Sequence, residues 1–142
     1  MNIVVLSEAP RCYATREIVE KGKKRGHQMT VLSPSYLYLK ISERTDLHDS
    51  VYDGFGQNEK PVLLLSKGID AVIPRIGANL LFGTTVLEHL TGNLQKYSTQ
   101  TAWGILTAAD KMKSAQKFSQ HRVRTPATVL GDKAVHAKWL IA

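Results

Sequence analysis

Arg75, Gly77 and Asn79 stand close together in the stretch DAVIPRIGAN, which runs from Asp70 to Asn79. An arginine offers a planar fork of donors that can clamp a carboxylate or a phosphate with two parallel hydrogen bonds. A glycine two residues on permits close approach of the backbone to a ligand. A helix starting from Asn79 would turn its unpaired N–H groups toward the same point. Together they describe an anion site. The competing reading pairs Arg75 with a structural carboxylate such as Asp70 and gives Gly77 only a turn. Ser7 and Tyr13, which follow the first apolar run of the chain, are candidates for a second wall of the same crevice.

A site of this kind depends on the elements that hold it. Asp70 to Pro74 reads as a strand buried on both faces, as expected for a central parallel strand flanked by helices. In open parallel sheets, ligands bind beyond the carboxyl ends of the strands, where Arg75 to Asn79 would lie. Ile3 to Leu6 predicts a first strand, Thr15 to Arg25 a helix ended by Gly26, and Met29 to Leu32 a second strand closed by Ser33 and Pro34. That order is a βαβ unit with parallel strands. Ser35 to Lys60 suggests short strands or a hairpin with a polar insertion, and Val62 to Leu65 fits strand or helix, ended by Gly68. Asn79 to Leu94 carries apolar residues at helical spacing, weakened by Gly83 and Gly92, and predicts a second crossover helix. Thr101 to Ala109 and Asp110 to Gln120 predict two further helices. Pro126 stops the last of these, Ala127 to Leu130 reads as a strand, and Gly131 with Asp132 opens a final helix.

Other chemistries lack support in the residues. Ser7-Glu8-Ala9-Pro10-Arg11 stands where a dinucleotide fingerprint would follow the first strand, and no phosphate-binding loop ending in Gly-Lys-Ser/Thr occurs. The five histidines are scattered without zinc-ligand spacing and read as surface or packing residues; Glu88-His89 has no second histidine one turn on. No Ser-His-Asp arrangement is recognisable. Cys12 is the single cysteine, so no internal disulfide can form, and beside a predicted helix start it reads as a packing residue. No catalytic residue and no metal ligand are therefore expected.

Composition sets the outer limits. The chain has 142 residues, 43% hydrophobic and 22% charged, a globular balance in which a core can form. Its apolar runs fall well short of the ~18 residues that span a bilayer, and no basic leader opens the chain, so a cytoplasmic location without membrane attachment is expected. The net charge of +7 favours anionic partners. Lys21 to Arg25 and His121 to Arg124 fall at helix ends, where cations complement the dipole, so nucleic acid is the less favoured partner.

MNIVVLS at the start, KKRGHQMTVLSP after the first helix, IDAVIPRIG and AADKMKSAQKFSQHRVRTPAT carry a resemblance to the N-terminal part of RimK-type α-L-glutamate ligases. These belong to the ATP-grasp superfamily of carboxylate–amine ligases. The resemblance implies a Rossmann-like pre-ATP-grasp domain over residues 1–100, an α/β fold with a mainly parallel sheet flanked by helices. Residues 101–142 would hold linker helices and a short α/β stub, the truncated start of an ATP-grasp domain. It further implies an enzyme that uses ATP and Mg to phosphorylate a carboxylate, after which an amine displaces the phosphate. Glutamate and an acidic peptide or protein acceptor are the implied substrates. Lys111 matches a position that contacts ATP phosphates in related ligases, and Arg75 matches a loop facing the active-site region. The family's second ATP-binding lysine, its glycine-rich loop and its Glu-x-Asn magnesium ligands have no counterpart in the chain. The chain alone is thus expected neither to bind Mg-ATP tightly nor to catalyse ligation. An alternative is a non-catalytic binding or regulatory module for an acidic peptide or a partner subunit. An exposed apolar face on the stub would favour self-association.

Overall fold

The computed structural model describes residues 1–41, 50–54, 62–63 and 68–131. Residues 1–105 and 106–142 form two compact units.

The first unit is built on a sheet of four strands, β1 (Asn2–Ser7), β2 (Gln28–Leu32), β6 (Ala71–Arg75) and β7 (Tyr97–Ser98). Their order across the sheet is β2-β1-β6-β7. All three pairings are parallel, and β1 lies inside the sheet with Val5 opposite both Val31 and Ile73. Helix α1 (Tyr13–Lys24) connects β1 to β2, and Gly26 ends the connection at φ +79°, the left-handed conformation expected of it. Lys21, Lys23 and Lys24 occupy the last turn of α1, where they complement its dipole. Between β2 and β6 the chain forms a separate sheet of β3 (Leu37–Lys40), β4 (Ser50–Asp53) and β5 (Val62–Leu63), of order β3-β4-β5. The β3–β4 and β4–β5 pairings are antiparallel, so the expected hairpin is present. Its polar insertion and the end of the Val62 to Leu65 run lie outside the described residues.

Alternation along β1 divides its side chains between two faces. Val4 and Leu6 join Leu32, Val72, Val86, Leu87 and Leu90 in the core, which places α2 (Leu80–Glu88) on that face. On the other face, the Thr15 hydroxyl of α1 meets Ser7. Helices therefore cover opposite faces of the parallel sheet. Gly83, which lowers helix propensity, permits tight packing: a Cβ there would lie 2.6 Å from Ile76 Cγ2. After Glu88 the helix widens into a π turn, His89–Asn93. His89 is a packing residue, buried, with an Nε2 that has no hydrogen-bond partner among the described residues.

Three local expectations need correction. Arg75 is the last residue of β6 itself rather than part of the following loop, because the ladder to β1 continues to Ser7. Strand β7 follows the second crossover, where two paired residues are too short to leave a periodic signal. Ala127 to Leu130 has no regular secondary structure and is exposed, since no strand among the described residues pairs with it. The final helix expected after Gly131 lies outside the described residues.

Along the chain, α3 (Ala102–Ala109) runs across the boundary between the units, and α4 (Lys111–Gln120) belongs to the second. The Asp110 carboxylate caps α4, accepting from the N–H groups of Met112 at 2.9 Å and Lys113 at 3.0 Å. None of the described helices is long and apolar enough to cross a membrane.

Candidate functional site

The carboxyl ends of β1 and β6 place Ser7 beside Arg75 as direct partners in the ladder. Neighbours in a parallel pair share a face, here the one covered by α1. Ser7 is 2% exposed, and its hydroxyl is engaged: Ala9 N–H donates to it at 3.2 Å, and Thr15 Oγ1 lies 3.3 Å away. Thr15 is fully buried and also lies 3.0 Å from Cys12 Sγ. Cys12 is the N-cap of α1, in extended conformation, and its side chain makes no capping bond. Four residues thus converge at one end of the sheet: Ser7 and Thr15 as a buried support, Cys12 and Arg75 toward solvent.

Electrostatics follow from that contact. The side-chain hydrogen bond from Thr15 is the main influence holding the Cys12 thiol below its ordinary value, helped by the Thr15 backbone. Burial opposes them, and the charge and hydrogen bonding of Arg75 add two lesser influences in the lowering direction. An anion here, whether thiolate or ligand carboxylate, is stabilised by the same guanidinium. Asp70 does not neutralise it. That carboxylate accepts the Asn2 N–H at 2.7 Å, at the other end of β6, and Arg75 forms no ion pair among the described residues. The pairing of Arg75 with Asp70 is therefore absent.

A second carboxylate fixes the rim. Glu8 accepts hydrogen bonds from the Ser33 hydroxyl, from the Ser35 hydroxyl at 2.7 Å and from the Ser35 N–H at 3.0 Å. Burial is the largest single influence on Glu8 and pushes its pKa up, but these bonds together outweigh it and leave the group below its ordinary value. The loop after β1 is thereby tied to the segment after β2.

The other predicted residues take different places. Gly77 is exposed, and apart from its chain neighbours no described atom lies within 4 Å of the position its Cβ would occupy. Asn79 adopts φ 47°, ψ 48° as the N-cap of α2, and its side chain makes no capping bond. Tyr13 is 72% exposed on the first turn of α1. Lys111 is the exposed first residue of α4 in the second unit. No group of three or more His, Cys, Asp or Glu side chains is arranged to hold a metal ion among the described residues. Sequence reasoning missed Cys12, Thr15 and Glu8. The available signal was position: all three follow the first strand, and Thr15 lies one helical turn beyond Cys12.

Because Cys12 is the only cysteine, its alkylation reports on the crevice. Thr15→Val should raise the thiol pKa and slow the iodoacetamide reaction at neutral pH, since less thiolate is present, and Arg75→Ala should slow it by a smaller factor. Equal rates across the three proteins, followed by intact mass, would show that Arg75 does not act on this end of the sheet.

The parallel sheet, with helices on opposite faces, defines a Rossmann-like α/β fold. Residues 1–105 match the family model described as the RimK PreATP-grasp domain, and the chain belongs to that family. A probable alpha-L-glutamate ligase of Xanthomonas oryzae pv. oryzae is 36% identical over 133 residues, covering 93% of this chain and 41% of the relative. One of Pseudomonas putida is 38% identical over 130 residues, covering 90% of this chain and 39% of the relative. The chain thus spans about two fifths of these curated relatives. Among solved structures, the macrocyclase MdnB from Microcystis aeruginosa is similar with a TM-score of 0.67 at 14% identity, covering 99% of this chain and 58% of that one. The macrocyclase MdnC, bound with the precursor peptide MdnA, gives 0.63 at 11% identity, with 98% and 49% covered. These two likenesses concern the fold.

Proposed function

We propose that this chain supplies the pre-ATP-grasp part of an ATP-dependent carboxylate–amine ligase, with glutamate joined to the amine of an acidic peptide or protein acceptor. In that reading the carboxyl-end crevice forms the substrate-side wall, and Arg75 attracts and orients a carboxylate above the exposed Gly77. The observation that carries it is the position of Arg75: it ends a parallel strand beside Ser7 and Cys12, unneutralised by Asp70, in a chain of the RimK pre-ATP-grasp family. ATP with Mg would supply the phosphoryl group that converts the substrate carboxylate to an acylphosphate with release of ADP, and the amine would then displace phosphate. Lys111 provides one cation suited to a phosphate, and in this reading the part of the chain in the reaction is to bind and orient the substrate carboxylate.

Titration of the chain with L-glutamate, followed by backbone amide NMR, tests this reading. Shifts should centre on Ser7, Cys12 and Arg75 and disappear in Arg75→Ala. Shifts that persist in the variant, or none at all at high glutamate concentration, would overturn the crevice assignment. Calorimetric titration with Mg-ATP should show no strong binding, and a micromolar affinity would refute the claim that the nucleotide site is incomplete.

A further inference from the structure

The geometry points to a second binding surface at the opposite end of the sheet, a groove beside α1 that takes an acidic amphipathic segment of a partner protein. The groove has a volume of about 470 Å³, within the ~300–1,000 Å³ range of typical ligand sites. Its floor is Ile3, Ile73 and Met29, its wall is Ile18, and Lys21 and Arg25 stand on its rim.

The groove exists because of how α1 packs. Gly22 lets the helix press toward β2, so closely that a Cβ there would overlap Met29 Sδ. Helix α2 belongs to the other face, where Val86, Leu87 and Leu90 join Val4 and Val72 in the core. Ile73 is consequently only partly buried although its ladder neighbour Val5 is fully enclosed.

Charge selects the occupant. Lys21 and Arg25 are one helical turn apart and both exposed, His27 lies at the same end, and Glu17 is the single carboxylate on the lining. A segment with aliphatic side chains along one face and carboxylates beside them would bury the first on the floor and set the second against the rim. A second copy fits less well, because a two-fold contact on this lining would set only Glu17 from each copy against Lys21 and Arg25, between chains of net charge +7. Nucleic acid fits poorly too, since the lining offers mainly aliphatic and thioether surface and no Phe, Tyr or Trp ring on which a base would stack.

The test uses the full 142-residue chain and a fluorescein-labelled helical peptide of ~15 residues, with leucine at i, i+3 and i+4 spacing and glutamate at the flanking positions. Fluorescence anisotropy should show binding that weakens with salt. Lys21→Glu/Arg25→Glu should weaken it about tenfold or more, since both rim pairs become repulsive. The neutral pair Lys21→Gln/Arg25→Gln should give an intermediate loss, and serves as the test if the reversed pair alters the circular dichroism melt. Arg75→Ala should leave binding unchanged, which separates this groove from the crevice. Absence of binding, equal affinity for a peptide with lysine in place of glutamate, or no response to the rim variants would each overturn the proposal. Displacement of the peptide by a single-stranded oligonucleotide at equal affinity would also overturn it.

Discussion

Leu6→Ala is expected to lower the unfolding free energy of the first unit by about 2–5 kcal/mol, the range for truncating a buried leucine and leaving a cavity. Leu6 is among the largest fully buried side chains and lies on β1, inside the sheet between Leu32 on β2 and Pro74 on β6. Neither neighbouring strand can close over the space without distorting a parallel ladder. Set against a total stability of roughly 5–15 kcal/mol for a domain, this is a large fraction. Leu81, on α2, provides the control: it is 77% exposed, and Leu81→Ala should change stability by no more than about 0.5 kcal/mol. Urea unfolding followed by circular dichroism measures both. Equal midpoints would contradict the placement of the core between β1 and α2.

Gly83→Ala is the second large effect, and two terms of opposite sign decide it. Alanine is better than glycine inside a helix by about 1 kcal/mol, so propensity alone predicts stabilisation. The added methyl would meet Ile76 Cγ2 at 2.6 Å, well inside van der Waals contact. That carbon is a branch close to the Ile76 backbone, so it cannot swing clear as the tip of a long side chain would. Overpacking of this kind typically costs about 1–3 kcal/mol, and the net expectation is destabilisation. A double-mutant cycle identifies the cause: in an Ile76→Ala background the added methyl has room, and the same substitution should become neutral or favourable. If Gly83→Ala costs as much in both backgrounds, Ile76 is not the obstacle. Ile76 immediately follows Arg75, so the variant should also disturb the Cys12 alkylation rate.

Much of this architecture was legible in residue order. The run of β-branched and aliphatic residues at Ile3, Val4 and Val5, the helical stretch before Gly26 and the resumed strand at Met29 give parallel β1 and β2 directly, because each local signal agrees with the packing that follows. DAVIP likewise announces a strand covered on both faces. Strand β7 was not legible, since its two residues pair only because α2 returns the chain to the sheet edge. The reading of Ala127 to Leu130 as a strand failed for the complementary reason: local propensity was present, but no ladder among the described residues receives it.

The site divides similarly. Arg75 stands out because a cation at the end of an apolar strand cannot be core. Ser7 was legible by position, yet it serves as a buried support rather than an open wall. Cys12 read as a packing residue because nothing in its neighbours along the chain reveals an arginine brought to it from residue 75. Glu8 was overlooked because its partners, Ser33 and Ser35, become neighbours only through the parallel return of β2. Residues linked through the ladder are invisible to periodicity, which sees only one element at a time.

That ladder also governs how the crevice moves. Ser7 and Arg75 are consecutive in no sense but the sheet's, and their backbones are held at the ~4.8 Å spacing of adjacent strands. They form the last pair of the β1–β6 ladder, so their amides should exchange with deuterium more slowly than those of the flanking loop at Ala9 to Arg11 and faster than those of Val5 and Val72 within the strands. A ligand binding as proposed would meet a backbone frame already ordered, so that, beyond the translational and rotational freedom every association loses, the ordering on the protein side is confined to the arginine side chain.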